Sequence, residues 1–361
     1  MKISSISISN YKNLSAEKFN FSERINCLIG KNGVGKSNVL DSIYHLCFGK
    51  GFFNKNTSQN IQFGKDFFVI EGLFERNKKI YKINCSVKKG NKKIIKKNSK
   101  KYIKLSDHIG FLPLVIISPL DRDLIYEGSD FRRKFIDGII SQTNKKYLNF
   151  LINYNKVLAQ RNALLKYFHI NKNFNLEALK SYNNQLEILG NPIFTERKKF
   201  IEIFTPIFNN KYRDISSSNE IVSIFYESSL KTETFIEVLS KSLEKDKKTQ
   251  YTNSGIHKDD LLFNINNNSI KRFGSQGQQK SFLIALKLAQ FEYIKNKTNI
   301  PPILLLDDIF DKLDQNRVEL IMQLIEKNNF GQIFISDTHY ERTLSAIKTT
   351  DLSYEVFNLP T

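Results

Sequence analysis

Apolar and polar residues alternate at the start of the chain. Residues 3–8 interleave isoleucine with serine, Asn10-Tyr11-Lys12-Asn13 is a turn, and Glu17 to Phe21 alternates again, which predicts a β-hairpin. The run Ile25-Asn26-Cys27-Leu28-Ile29 is of strand type, and Val39, Leu40, Ile43, Leu46 and Cys47 then recur at helical spacing. Residues 67–75 and 79–87 predict further antiparallel strands, and Gly90-Asn91 predicts a hairpin turn with lysines crowding its tip. Leu114 to Ile117, bracketed by Pro113 and Pro119, suits a buried strand. A helix is expected to begin near Ser129-Asp130, both good N-caps.

From about Lys145 to Phe208 the period becomes helical, through Leu148, Leu151, Ile152, Val157 and Leu158, then Leu176, Leu179, Leu186, Ile188 and Leu189. The clearest break is expected at Gly190-Asn191-Pro192, giving an insertion of antiparallel helices too short for a long coiled-coil arm. Strand character resumes at Ile221 to Tyr226 and at Leu261 to Ile265, with a turn at Asn266-Asn267-Asn268. Residues 301–308, PPILLLDD, predict a buried strand ending in Asp307 and Asp308. An amphipathic helix through Leu313, Val318, Ile321, Leu324 and Ile325, a strand from Gln332 to Ile335 and a turn at Ser336-Asp337-Thr338-His339 should follow. The class is α/β, with an N-terminal antiparallel β subdomain and a helical insertion. The expected divisions are 1–120, 121–250 and 251–361.

Charge adds a partner class but not by itself a decision. A net charge of +19 suits a polyanion such as nucleic acid, yet a chain rich in Lys, Asn, Ile, Phe and Tyr and lacking Trp is also what AT-rich codons produce. Cys27, Cys47 and Cys85 have no C-x-x-C spacing, so neither a disulfide framework nor a zinc site is indicated. The start of the chain lacks the apolar core of a signal peptide, and no run reaches the ~18 apolar residues of a membrane span. A cytoplasmic protein without membrane contact is expected.

The chemistry centres on Gly30-Lys31-Asn32-Gly33-Val34-Gly35-Lys36-Ser37-Asn38, a phosphate-binding loop between a predicted strand and a predicted helix. Its glycines let main-chain N–H groups face a polyphosphate, Lys36 reaches the outer phosphates and Ser37 can ligate Mg²⁺. Asp307 ends a strand where a carboxylate meets that metal, and Asp308 follows as a catalytic base or a capping carboxylate. Ser275-Gln276-Gly277-Gln278-Gln279, before the helical FLIALKLAQFEYI, is a second anion-facing helix start or an ordinary cap. The lysines at 88, 89, 92 and 93 make either a phosphate-tracking finger or a solvated hairpin.

The order of these motifs, closed by Asp311-Lys312-Leu313-Asp314, resembles the ABC-type ATPase heads of the SMC class, and within it the RecF family of bacterial DNA replication and repair proteins. The likeness extends over nearly the whole chain. It includes Ile8-Ser9-Asn10-Tyr11-Lys12, the segment from Ser118-Pro119 to Gly128-Ser129-x-x-Arg132-Arg133-x-Phe135-x-Asp137, Gly255-x-His257-Lys258-Asp259-Asp260, and SQGQQKSFLIALKLA. The resemblance implies an ABC/SMC-type P-loop ATPase head with a helical lid or arm, which dimerises head to tail on ATP and Mg²⁺. Each nucleotide would lie between one phosphate loop and Ser275 and Gly277 of a second copy. It also implies nucleotide roles for Lys12 and Asp314, and a switch residue at His339, Thr338 or Asp337. Implied partners are single-stranded and junction DNA and RecR- and RecO-like mediators, in recombinase loading and SOS induction. Arg132 and Arg133 join the hairpin lysines as candidate DNA contacts. Ile256 and Lys258 stand where the family commonly has proline and arginine, and Asp308 is one methylene shorter than the usual glutamate, so slow, DNA-stimulated hydrolysis is expected. A transporter ATPase subunit or an SMC-like structural protein using ATP only to dimerise are the alternatives.

Overall fold

A computed structural model describes residues 1–216, 220–309, 315–327 and 330–360. Strands β1 (Lys2–Tyr11) and β2 (Leu14–Asn20) form the hairpin, and β3 (Ile25–Ile29) leads into helix α1 (Lys36–Phe48). Strands β4 (Phe67–Arg76), β5 (Lys79–Lys88), β6 (Ile94–Lys97), β7 (Lys100–Lys101) and β8 (Leu114–Ile117) follow. Next come helices α2 (Asp123–Tyr126), α3 (Ser129–Thr143), α4 (Lys145–Asn171) and α5 (Leu176–Ser216), strand β9 (Val222–Glu227), and helices α6 (Phe235–Lys241) and α7 (Leu243–Thr249). Strands β10 (Asp260–Ile265) and β11 (Asn268–Ser269) and helices α8 (Ile270–Phe273) and α9 (Gln276–Thr298) precede β12 (Ile303–Asp307), α10 (Gln315–Lys327), β13 (Ile333–Asp337), α11 (Tyr340–Ile347) and β14 (Tyr354–Asn358). The contacts divide the chain into two units, residues 1–121 with 286–361, and residues 122–285.

The first unit holds an antiparallel sheet in the order β2-β1-β4-β5-β6-β7 and a parallel sheet in the order β14-β3-β13-β12-β8. Ile3, Ile6 and Ile8 of β1 are all buried, although strict alternation would send Ile3 and Ile6 to opposite faces. A register shift between Ile3 and Ser5 resolves this, so the adjacent serines mark a bulge. The isoleucines join Val39, Leu40, Ile43 and Leu46 of α1 in one core. The parallel strands are buried along their length, which is why INCLI, LVII, ILLLD and IFISD read as runs without alternation. Asp307 pairs with Ser336 and Asp337 with Ile29, so the carboxyl ends of β3, β13 and β12 lie level. The chain segments leaving these strands therefore share one sheet edge, the usual ligand edge of an α/β sheet.

The last of these strands runs further than the sequence suggests. Ser336 and Asp337 belong to β13 rather than to a turn, and Gln332 stays outside it. Asp337 is buried because its carboxylate accepts from the N–H groups of Thr338 and His339 and from the Thr343 hydroxyl. Gln332 spends its amide on both main-chain groups of Ile3.

In the second unit, α4 and α5 form the helical hairpin, beside a small sheet in the order β11-β10-β9. The break lies at Lys172, left-handed at φ 51°, and not at Gly190-Asn191-Pro192. Helix α5 runs 41 residues straight through that triplet and through Pro206. Packing overrides the local signal: a Cβ on Gly190 would come within 2.3 Å of the Phe235 ring, so the glycine serves a close approach inside the helix. Phe200, Phe204, Phe208 and Tyr212 then form a buried stripe along α5. Helix α3 is preceded by Gly128 as its N-cap, because the Ser129 hydroxyl accepts from Arg133 instead of capping.

Candidate nucleotide site

The segment 30–35 leaves β3 at the shared edge and enters α1 without a side-chain cap. Gly33 and Gly35 adopt φ of 87° and 112°, and a Cβ on Gly35 would lie 2.9 Å from both Asn13 Oδ1 and Leu14 Cδ2, so this turn requires glycine. The hairpin turn braces the loop, with Asn13 Nδ2 donating to Gly33 O at 3.1 Å and Asn38 Nδ2 to Asn13 Oδ1 at 2.7 Å. Lys36 is nearly buried, and its Nζ donates to Gly30 O and Lys31 O at 2.9 and 3.0 Å. The ammonium thus lies across the loop, where an outer phosphate would find it.

Across the sheet edge, Asp307 faces the Ser37 hydroxyl, which favours its charged form, and accepts from Ser336 Oγ at 2.8 Å. Burial raises the Asp307 pKa, and the Ser37 and Ser336 hydroxyls and Lys36 oppose it. A cation held by Ser37 and Asp307 would meet one protein carboxylate and take its other ligands from phosphate and water, the habit of Mg²⁺. No cluster of three His, Cys, Asp or Glu side chains able to hold a metal occurs among the described residues. The donor set therefore fits Mg²⁺ on a nucleotide. Asp308 follows at φ 48°, a left-handed position that aspartate tolerates, with its N–H 3.1 Å from Ser336 Oγ. His339 is exposed as the N-cap of α11, just beyond Thr338. Of the three switch candidates, Asp337 is bonded to the Thr338 and His339 N–H groups and to the Thr343 hydroxyl, whereas Thr338 and His339 leave the sheet edge next to β3. Asp314 and the rest of Asp311–Asp314 lie outside the described residues.

Ser275 to Gln278 belongs to the second unit, at the start of α9. The segment forms a capping box: Ser275 N–H donates to Gln278 Oε1 at 2.7 Å, and Gln278 N–H to Ser275 Oγ at 3.2 Å. Gln279 turns inward to Ile270 O and Gly274 O, while Ser275 and Gln276 stay exposed. The cap and the exposed serine coexist, since the box fixes the helix start without covering it.

The basic candidates separate by environment. Lys88, Lys89 and Lys92 are exposed around the β5–β6 turn, but Lys93 folds back to donate to Gly49 O at 2.6 Å. Partial burial lowers its pKa. Arg132 is likewise occupied, gripping both oxygens of Asp260 at 2.7 and 3.0 Å, and Arg133 donates to Ser129 Oγ and to Asp259 O. These three cations already serve acceptors within the chain, whereas Lys88, Lys89 and Lys92 remain exposed.

Comparison with known proteins follows this geometry. The RecF/RecN/SMC N terminal domain family matches residues 2–357. A DNA replication and repair protein RecF of Flavobacterium johnsoniae is 55% identical over 359 residues, covering 99% of this chain and 100% of that protein. The chain belongs to the RecF family. A RecF of Phocaeicola vulgatus is 45% identical, covering 99% of this chain and 96% of its own length. Among solved structures, the recombination mediator protein RecF-ATP in the RecFOR pathway is similar at TM-score 0.87 and 32% identity, covering 93% of this chain and 92% of that chain. An Smc head bound to the C-winged helix domain of ScpA, at TM-score 0.57 and 14% identity over 95% of this chain and 91% of that one, shares the fold.

Two stretches that carry the RecF likeness meet in the second unit around Arg197, a residue not singled out in the sequence. Its buried guanidinium donates to Asp137 Oδ1 and Oδ2 at 3.0 Å each, to Ile256 O at 2.7 Å and to Asp259 Oδ2 at 3.1 Å. Tyr147 hydroxyl bonds Asp137, and Tyr226 hydroxyl bonds Asp259. Asp137 and Asp259 thus share one cation, and Ile256 reaches it through its carbonyl, which proline would also supply. His257 is held between Tyr154 OH and Thr252 O at 2.9 Å each, with its pKa lowered to about 4 by burial.

A second cluster missed in the sequence lies beneath the phosphate loop. Asp41 of α1 accepts from Tyr11 OH at 2.8 Å, Lys12 Nζ at 2.5 Å and Phe52 N–H at 2.5 Å. Lys12 is thereby tied to the helix that follows the loop. His45 adjoins Tyr11 OH at 3.2 Å, and burial lowers its pKa to about 4. The only sequence trace of this cluster is a run of polar side chains on the apolar face of α1. No helix among the described residues is long and apolar enough to cross a membrane.

Proposed function

We propose that this chain is a cytoplasmic, ATP-dependent DNA-binding clamp of recombinational repair and replication restart. The observation that carries the reading is that Asp307 faces the Ser37 hydroxyl, beside Lys36 lying across the phosphate loop, at the level carboxyl edge of the parallel sheet. That pair would hold Mg²⁺, which neutralises phosphate charge when bound, while the N–H groups of residues 31–38 and Lys36 bind the phosphates. Lys12, Asn32 and Asn38 flank the same loop. The ATP complex of a similar RecF supports the nucleotide assignment.

In this reading the site is half of a pair. Exposed Ser275 and Gln276, with Gly277, supply N–H groups and a hydroxyl to the nucleotide on a second copy, so binding ATP closes two chains head to tail on DNA. Asp308 accepts a proton from the attacking water, and His339 or Thr338 senses the outer phosphate. The short Asp308 side chain makes turnover slow, and DNA stimulates it. The exposed hairpin lysines contact phosphates without reading bases, at single-stranded and junction DNA. RecR- and RecO-like mediators would then cooperate in loading recombinase and in SOS induction, in keeping with the RecFOR pathway named for a similar structure.

The test is sizing of the protein on gapped DNA with and without ATP, alongside Lys36→Ala. The expected result is an ATP-dependent dimer that the variant fails to form. A dimer equally abundant without ATP, or undiminished in the variant, overturns the shared-site mechanism.

A further inference from the structure

The outer end of the α4–α5 hairpin carries rings that the fold leaves in water. Tyr167 is 59% exposed and Tyr251 51%. A lysine lies directly on the second of them: Lys166 Nζ donates to Tyr251 OH at 3.2 Å and sits 4.8 Å from its ring centroid. Lys247 Nζ sits 4.2 Å from the centroid of Phe174, which packs edge-on against Phe168, the neighbour of Tyr167. This chain of contacts makes residues 166–174 and 247–251 one surface.

Its charge is one-sided. Residues 166–180 and 244–251 contain lysines at 166, 172, 180, 245, 247 and 248 against acids at 177, 244 and 246. Glu177 and Glu244 are each bonded to a lysine, and Asp246 is buried against Arg161. An acidic or polyanionic occupant suits this surface, and beside the cations it exposes flat rings. Rings interleaved with lysines are the combination by which single strands are bound, bases stacking on the rings and phosphates meeting the cations. A duplex buries its base faces and cannot use the rings.

We infer that this surface binds a short stretch of single-stranded nucleic acid, with Tyr167 and Tyr251 as stacking platforms and Lys172 and Lys248 as phosphate contacts. The inference rests on the DNA-binding reading and deepens it, since a site that accepts only single strands would bias the clamp toward junctions.

The chain has no tryptophan, so Tyr251→Trp introduces a single indole at the surface. Oligothymidylate should quench that indole as binding saturates by anisotropy, whereas a duplex of equal length should bind without quenching. Tyr167→Ala with Tyr251→Ala should weaken single-strand binding at least roughly tenfold and leave duplex binding unchanged. Lys172→Ala with Lys248→Ala should reduce the single-strand salt slope by about 1.4. An indole left unquenched on protein saturated with oligothymidylate, or equal weakening of both DNAs, overturns the assignment and leaves the surface to an acidic protein partner. If the unaltered protein binds neither DNA, the DNA-binding reading fails first and this site with it.

Discussion

Removing the Arg197 guanidinium is the most demanding test of how the second unit is held together. In Arg197→Met the side chain keeps much of its length, but Asp137 and Asp259 lose the cation they share and Ile256 O loses its donor. Both partners sit in a buried network, since Arg197 is 1% and Asp259 3% exposed. Stranding carboxylates in this way should cost about 3–5 kcal/mol, a large fraction of the roughly 5–15 kcal/mol that stabilises a domain. The second unit should therefore unfold at clearly lower urea concentration than the first. Burial already raises the Asp259 pKa against the pull of Arg197, so losing the arginine should raise it further. A raised folded pKa means that the folded state takes up the proton, and the variant's deficit should shrink as pH falls from neutrality. Adding Asp137→Asn and Asp259→Asn should recover most of the loss, because no charge then remains unpaired. Urea unfolding followed by circular dichroism on the unaltered protein, Arg197→Met and the triple variant decides it. A loss below about 1 kcal/mol, or a triple variant no better than Arg197→Met, would refute the reasoning.

Other outcomes follow from the same geometry. Asp308→Asn should leave ATP binding intact and trap the ATP-bound dimer, read by size-exclusion chromatography; an unchanged monomer–dimer distribution would show that Asp308 is not the base. Gly35→Ala forces a Cβ to 2.9 Å from Asn13 and Leu14 at φ 112°, so nucleotide affinity should fall at least about tenfold, measured by calorimetry, with a loss of roughly 1–2 kcal/mol in stability. His45 and His257 have folded pKa values of about 4 against an ordinary 6.5, so their contribution to stability is intact above that ordinary value and is lost as pH falls toward about 4. Urea midpoints that stay flat across this window would contradict it. Duplex binding that neutralises about six phosphates should show a log–log salt slope near −5, and a flat response would reject the exposed hairpin lysines as the footprint.

Local pattern was enough for most of the strands, though not for β14 or the carboxyl end of β13, and it marked the phosphate loop and the strand-end Asp307. Each rests on short-range rules: alternation for β1, an unbroken apolar run for β12, and glycines at the positive φ positions 33 and 35. The breaks were less legible. Gly190-Asn191-Pro192 carries a strong local stop signal, and only the ring of Phe235, 45 residues on, turns it into a tight helix contact. The bulge in β1 is similar, because two serines say nothing until a neighbouring strand fixes the register.

Charge was the least legible property. Lys92 and Lys93 are identical in type and adjacent in the loop before β6, yet one faces water and the other donates to Gly49 O. Arg132, Arg133 and Arg197 look like surface cations until Asp260, Asp259 and Asp137 are brought to them from distant segments. The sequence by itself determined the chemistry of the phosphate site, because that chemistry is held in one contiguous loop and one strand end. Tertiary structure decided which charges are available to a ligand and which are consumed in the core. Pairing depends on what folding places within hydrogen-bond reach, and no spacing along the chain encodes that.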